Sequence, residues 1–454
     1  MLTRERFNQH NMAMSTEAIW FLLIGGLVTL VALARGPIAR LPLTGAMIYL
    51  VVGVVVGPAV SGLVSVDLLG WPRLLRIVAE IGLVISLFAT GMHLRVPLTS
   101  RLWHPPLRLG VLAMIVTVAL MTAAVGFATE WTWGAALFLA AALAPTDPVL
   151  ANELRVTEAG DDEPVRFALS GEGGLNDGAA WPFALLGLWL CGTHPFGTGS
   201  TLAFIGSLAW GVFGALAIGW LFAVAFAKIV FLLRTRLGEA IGLDGFIALG
   251  LMSSSYGAAL LVHAYAFVAV FAAGVALRHQ ERRTTGETSP AQLLDDVQHG
   301  ERLDVAKDPK RAQAYLAEAM LGFTIEIERI AELSLMLVIG CVVSAHWRQM
   351  LDLHAVFPAL LLFLVARPLS VLAAMLGSDA DFDQRGLLAW MGIRGVGAFY
   401  YAVMGVDEAG HTLRPLVPAV LDTIVLSVLI HGSTAGYALG RYFQRRNGQA
   451  VSRG

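Results

Sequence analysis

Three acids stand where a membrane helix should carry none. Asp147 lies in Ala144-Pro145-Thr146-Asp147-Pro148, within one apolar stretch. Glu172 and Asp177 lie in Gly171-Glu172-Gly173-Gly174-Leu175-Asn176-Asp177-Gly178, within the next. A charge at the bilayer centre costs ~2.5–3.5 kcal/mol on insertion scales, so each acid needs a partner or a task. Asp177 falls about 12 residues into its stretch, roughly 18 Å deep at 1.5 Å per residue, close to the midplane. Burial there disfavours the charged form of a carboxylate. Such a group can hold a proton or a small cation but not both, and that competition is sufficient for exchange. The plainer alternative is a structural acid capped by a neighbouring donor.

Thr146 and Asp147 sit between Pro145 and Pro148. Proline removes a backbone donor and breaks the helix, leaving carbonyl oxygens and half-helix ends exposed. Hard cations prefer oxygen ligands. The Thr146 oxygens and the carboxylates of Asp147 and Asp177 could therefore surround one ion. Asp147 could equally bond donors freed by the break and neutralise half-helix dipoles, and the two roles can coexist. Glu172 and Asp177 are five apart and lie on different faces, whereas Asn176 shares the face of Glu172. Two intramembrane arginines, Arg367 and Arg394, are available as partners for a second acid. A buried ion pair is structural by default.

The elements that must position these residues are membrane helices. The chain is 57% hydrophobic and only 14% charged, against about 25% charged in a soluble domain. Its 454 residues therefore read as one polytopic, all-α membrane protein. The net charge of −2 gives no reason to expect a nucleic-acid partner. Cys191 and Cys341 fit neither a disulfide framework nor a metal site. No signal peptide is read at the polar N-terminus, and no cofactor motif such as Walker A, HExxH, GxSxG or CxxC is found.

Apolar windows of spanning length number thirteen, near 17–34, 43–62, 74–94, 107–128, 132–152, 165–190, 203–230, 240–257, 259–277, 326–346, 355–376, 385–407 and 416–440. No polar loop separates the eighth from the ninth. Arginine and lysine in the short loops place the N-terminus outside and the C-terminal tail, 441–454, in the cytoplasm of a cell (inner) membrane. The expected cytoplasmic loops hold Arg35, Arg40, Arg95, Arg101, Arg108, Arg155, Arg166, Lys228, Arg234, Arg236 and Arg385, while several opposite loops hold none. One polar insertion, 278–324, reads as a solvated cytoplasmic connector. Gly53 and Gly57 form a GxxxG that favours close helix packing. Spans five and twelve are both broken, the fifth by its prolines and the twelfth by Gly392, Gly395 and Gly397 around Arg394. Seven apart, they run in opposite directions. Inverted repeats in many secondary transporters place two broken helices this way, with the ion site between them.

At this point the residues resemble a known family. The Thr146-Asp147-Pro148 break followed by Glu172-Gly173-Gly174-Leu175-Asn176-Asp177 is similar to the paired signature of NhaP-type sodium/proton antiporters of the monovalent cation:proton antiporter-1 family. Phe363-Leu364-Val365-Ala366-Arg367-Pro368 and Gly392-Ile393-Arg394-Gly395 extend the match. The resemblance implies an inverted-repeat fold with crossing broken helices, a homodimer and a mobile six-helix core that moves like an elevator. It implies that Asp177 is the alternating carrier of ion and proton. Thr146 and Asp147 would shape its site, the acid at Glu172 would pair with Arg367, and Arg394 would lie in the second broken helix. An Asn-Asp pair goes with electroneutral exchange. Two departures bear on the ion. Many members have serine where this chain has Gly173, and some have an acid before the glycine in Phe88-Ala89-Thr90-Gly91. Sodium, lithium and potassium remain open. Other classes are a cation channel, a carrier of another solute, and an intramembrane enzyme. The last would need a nucleophile–base pair, for which Ser433 beside His431 is the nearest arrangement.

Overall fold

The computed structural model describes residues 43–147, 150, 163–193, 201–237, 242–294, 308 and 311–453, together with isolated positions before residue 43. Most of the first apolar window, Pro148, Arg155 and residues 295–307 fall outside the described residues. The regular structure among the described residues is helical, joined by turns and short irregular segments. In chain order the helices are α1 (Gly45–Val56), α2 (Pro72–His93), α3 (Arg101–Ala128), α4 (Trp133–Leu143), α5 (Pro164–Leu190) and α6 (Thr201–Leu232). They continue with α7 (Asp244–Leu261), α8 (Ala266–Thr285), α9 (Ala312–Met350), α10 (Leu353–Ala374), α11 (Phe382–Trp390), α12 (Val396–Ala409) and α13 (Val417–Arg453). Among the described residues, six helical stretches are long and apolar enough to cross a membrane by length and composition. Helices α1 and α4 are shorter apolar ones.

Local signals account for several boundaries. Pro72 and Pro164 occupy the first turns of α2 and α5, where a missing N–H costs nothing. Asp381 opens α11 with a capping box closed by Gln384. The turn between α7 and α8 had no polar marker in the sequence. It is made at His263, whose φ of 56° is the one positive value on a non-glycine among the described residues. The Ala264 and Tyr265 amides are then satisfied by Ala259 O and Gly211 O, at 2.8 and 2.9 Å. Helices α3 and α10 each contain a π-helical turn, at Arg108–Ala113 and at Leu362–Ala366. The second turn ends immediately before Arg367.

The helices form two packed groups. One joins α1, α2, α6, α7, α8 and α9; the other joins α3, α4, α5, α10, α11, α12 and α13. Contacts of α2 with α5 and α12, and of α8 with α5, link them. In the first group α1 lies almost backbone to backbone on α9. A Cβ at Gly53 would strike the backbone of Leu337 and Gly340, and one at Gly57 would strike Ser344. The two glycines of the GxxxG thus permit the approach.

Helices occupy both ends of the segment expected as a solvated connector. Helix α8 continues to Thr285, and α9 begins at Ala312. Arg278 and Glu281 are fully buried there. Arg95 donates to Glu281 at 2.8 Å, and Arg278 donates to Glu318 at 2.9 Å and to Met92 O at 2.7 Å. Charge density in the sequence suggested solvation, but these charges neutralise one another inside the fold.

Candidate functional site

Two interrupted helices meet in the second group. Helix α4 ends at Leu143 and the chain runs irregularly through Thr146 and Asp147. Helix α11 ends at Trp390, residues 391–395 are irregular, and α12 begins at Val396. The irregular stretches touch directly: the Asp147 amide donates to Ile393 O at 2.7 Å. Interrupting a buried helix leaves backbone groups that must be satisfied. Here three charged side chains do so. Asp147 accepts the Val396 N–H at the start of α12 through Oδ2. Arg394 donates to Ala144 O at the end of α4. Arg367 donates to Leu388 O and Met391 O, at 3.0 and 2.8 Å, at the end of α11. Each charge has the sign that the adjacent helix dipole favours.

Arg367 also holds Glu172. The pair is bidentate, Nη1 to Oε1 and Nη2 to Oε2 at 2.9 Å, with both residues buried. The fork geometry matches guanidinium to carboxylate and spends both oxygens of Glu172. The serines and threonines around this pair are also bonded. Ser370 Oγ donates to Arg367 O at 2.9 Å, and Thr117 Oγ1 donates to Ser370 Oγ at 2.8 Å.

Asp177 is different. It is 1% exposed on the uninterrupted helix α5. Neither carboxylate oxygen accepts a hydrogen bond from the described residues. Its backbone carbonyl accepts the Tyr401 hydroxyl at 2.7 Å. The start of α12 abuts its carboxyl group, since a Cβ on Gly397 would lie 2.7 Å from Oδ1. Beside it, Asn176 Nδ2 donates to Thr146 Oγ1 at 2.6 Å, and Asn176 Oδ1 has no donor. Buried polar atoms are nearly always bonded. Three such oxygens at one crossing make a site suited to a proton or an oxygen-preferring cation. Gly173, buried between Glu172 and Gly174, has no side-chain oxygen to add.

The structure therefore brings Thr146, Asp147, Asn176, Asp177 and Arg394 to one crossing, and sets Glu172 and Arg367 beside it as a pair. It adds three residues that the sequence reading did not place there. Tyr401 reaches Asp177 from α12. Ser427 accepts the Arg394 N–H at 2.7 Å, and His431 Nδ1 contacts Ser427 Oγ at 3.0 Å. The i,i+4 spacing of Ser427 and His431 was the available signal. His431 is not paired with Ser433, whose hydroxyl instead donates to Leu429 O at 2.6 Å within its own helix. Of the other intramembrane acids, Asp244 pairs with Arg234, Glu328 accepts from Ser86 at 2.6 Å and Glu80 accepts from Tyr256, while Asp422 of α13 is buried and its Oδ2 has no hydrogen-bond partner among the described residues.

A cavity of about 580 Å³ opens from the end of the molecule where α2 begins and α12 ends, and it is lined as deep as Gly178, next to Asp177. At its mouth Arg76 of α2 pairs with Asp407 and Glu408 of α12, both at 2.9 Å.

Comparison with known proteins follows the same lines. Residues 25–439 match the family model described as sodium/hydrogen exchanger, transmembrane. The fold resembles that of the sodium proton antiporter MjNhaP1 from Methanocaldococcus jannaschii at pH 8. The TM-score is 0.65 at 17% identity, covering 94% of this chain and 98% of that one. An electron-microscopy structure of MjNhaP1 gives a TM-score of 0.63 at 18% identity, covering 93% and 96%.

Proposed function

Since the chain belongs to the sodium/hydrogen exchanger family, membrane proteins that exchange a cation for a proton, we propose that it does so through a single carboxylate, Asp177. The observation that carries this reading is the buried Asp177 carboxyl group, which accepts no hydrogen bond from the described residues. A proton on Asp177 excludes a cation, and a cation excludes the proton. Each ligand therefore drives release of the other, and the coupling is reciprocal.

Thr146 and Asp147 complete the site. Thr146 supplies an oxygen fixed by Asn176, and Asp147 holds the start of α12 beside the ion while adding negative charge. Glu172 carries no ion, because both of its oxygens are bound by Arg367. Asn176 is neutral where a second acid would carry a second charge. One monovalent cation then exchanges for one proton, and transport is electroneutral. Sodium is the leading cation; lithium and potassium satisfy the same oxygen chemistry.

The working unit in this reading is a homodimer in the cell membrane, with its N-terminus outside and its C-terminus in the cytoplasm. The crossing and its cargo move as one body past the α2–α8 side. The test is proton flux in proteoliposomes. Asp177→Asn should abolish cation-driven flux while the protein still folds, and wild-type flux in that variant would exclude the assignment.

A further inference from the structure

The cavity that ends at Gly178 has an acid of its own. Glu80 lines it from α2, about ten residues and 15 Å along the helix from Thr90. Its carboxylate is half-buried and accepts the Tyr256 hydroxyl. Two further tyrosines face the same space, Tyr400 and Tyr265, which are 4% and 7% exposed. The Tyr265 hydroxyl is buried and has no hydrogen-bond partner among the described residues. Phe267 also lines the space. The space therefore combines one carboxylate, phenolic oxygens and aromatic faces. All of these attract a cation, and none is engaged by Asp177.

Charge at the mouth points the same way. Arg76 is the one cation lining the cavity among the described residues, and it is bound by both Asp407 and Glu408. Together with Glu80, this leaves an excess of two negative charges around the opening. A cleft of one sign between low-dielectric walls concentrates counter-ions and raises their arrival rate by about 10-fold or more.

We infer that Glu80, with the hydroxyls of Tyr256, Tyr265 and Tyr400, forms an outer way-station for the monovalent cation, occupied before the ion reaches Asp177. The inference rests on the proposed role of Asp177 as carrier. Glu80 binds the partly hydrated cation at the cavity wall, and the ion passes along Tyr400 and Phe267 to Gly178. No bond is made or broken, and Glu80 shares no atom with the crossing. Its effect is therefore on capture at one face and not on turnover.

The experiment uses the full-length protein in vesicles selected for one orientation. Sodium is supplied to one face at a time, and proton flux is measured against sodium concentration. Glu80→Gln should raise the half-saturating sodium concentration roughly tenfold at the cavity face only, with turnover at saturation retained. Glu80→Asp should restore most of the affinity. Tyr265→Phe, which keeps every charge and provides the same test if Glu80→Gln fails to fold, should raise it about threefold at that face. An unchanged half-saturating concentration in the variants would overturn the inference, as would an equal rise at both faces or a fall in turnover. Asp177→Asn is run alongside. If it still exchanges, the carrier reading fails; if it is inactive while Glu80→Gln matches wild type, only the way-station fails.

Discussion

Asn176 Nδ2 donates to Thr146 Oγ1 over 2.6 Å, and through this bond the uninterrupted helix α5 grips the interrupted end of α4. The bond fixes the Thr146 oxygen beside Asp177. Thr146→Val should strand the Asn176 amide and lower stability by about 1–3 kcal/mol. It should also raise the half-saturating cation concentration. Thermal unfolding and flux on the same preparation check both, and a variant with wild-type values for both would remove Thr146 from the site.

In the proposed mechanism the Glu172–Arg367 pair serves stability and not exchange. Glu172→Gln leaves a buried guanidinium without its counter-charge, and breaking such a pair costs about 3–5 kcal/mol. The melting temperature should fall while residual protein still exchanges. Removing Arg367 as well should not restore stability, because Leu388 O and Met391 O then lose their donor. A double variant as stable as wild type would contradict this capping role.

Gly397 is required by the space beside Asp177. A methyl group there would press on Oδ1 at 2.7 Å, in the space that the proposed ion would take. Gly397→Ala is expected to cut exchange by about tenfold or more, a loss of at least 1.4 kcal/mol in ion binding, while the protein remains a folded membrane species by size-exclusion chromatography. Undiminished exchange would place the ion away from this oxygen.

Competition at one carboxylate has a distinct pH signature. Protonation of Asp177 must be reversed before a cation binds. On the acid side of its titration, the half-saturating cation concentration should therefore rise about tenfold for each unit that pH falls. Maximal flux at saturating cation should be retained. A pH-independent half-saturation would indicate that proton and cation occupy separate groups.

Much of this arrangement was legible in residue types. Pro145 announced the first break and the glycines around Arg394 the second, because both act on the backbone locally. The acids in α5 stood out because the bilayer makes them costly. Long-range partners were not legible. Nothing in the spacing chose Arg367 over Arg394 for Glu172; the resemblance implied that pairing, and the fork geometry is visible only in three dimensions. The contact of Arg394 with Ala144 O depends on two segments some 250 residues apart in sequence. Charge-rich sequence around Arg278 and Glu281 suggested solvent, yet Arg95 and Glu318 bury and neutralise it. Glu80 resembled an ordinary helix-end acid until Tyr256, Tyr265 and Tyr400, brought in from other helices, closed a cavity around it.

The most direct test of the central claim is proton flux in proteoliposomes with sodium, lithium and potassium supplied in turn, for wild type and for Asp177→Asn. Wild type should exchange at least one of these cations for protons, at a rate insensitive to membrane potential, and Asp177→Asn should exchange none. Cation-driven proton flux persisting in Asp177→Asn would contradict the assignment of the carrier, and conductive cation flux without proton movement in wild type would contradict antiport itself.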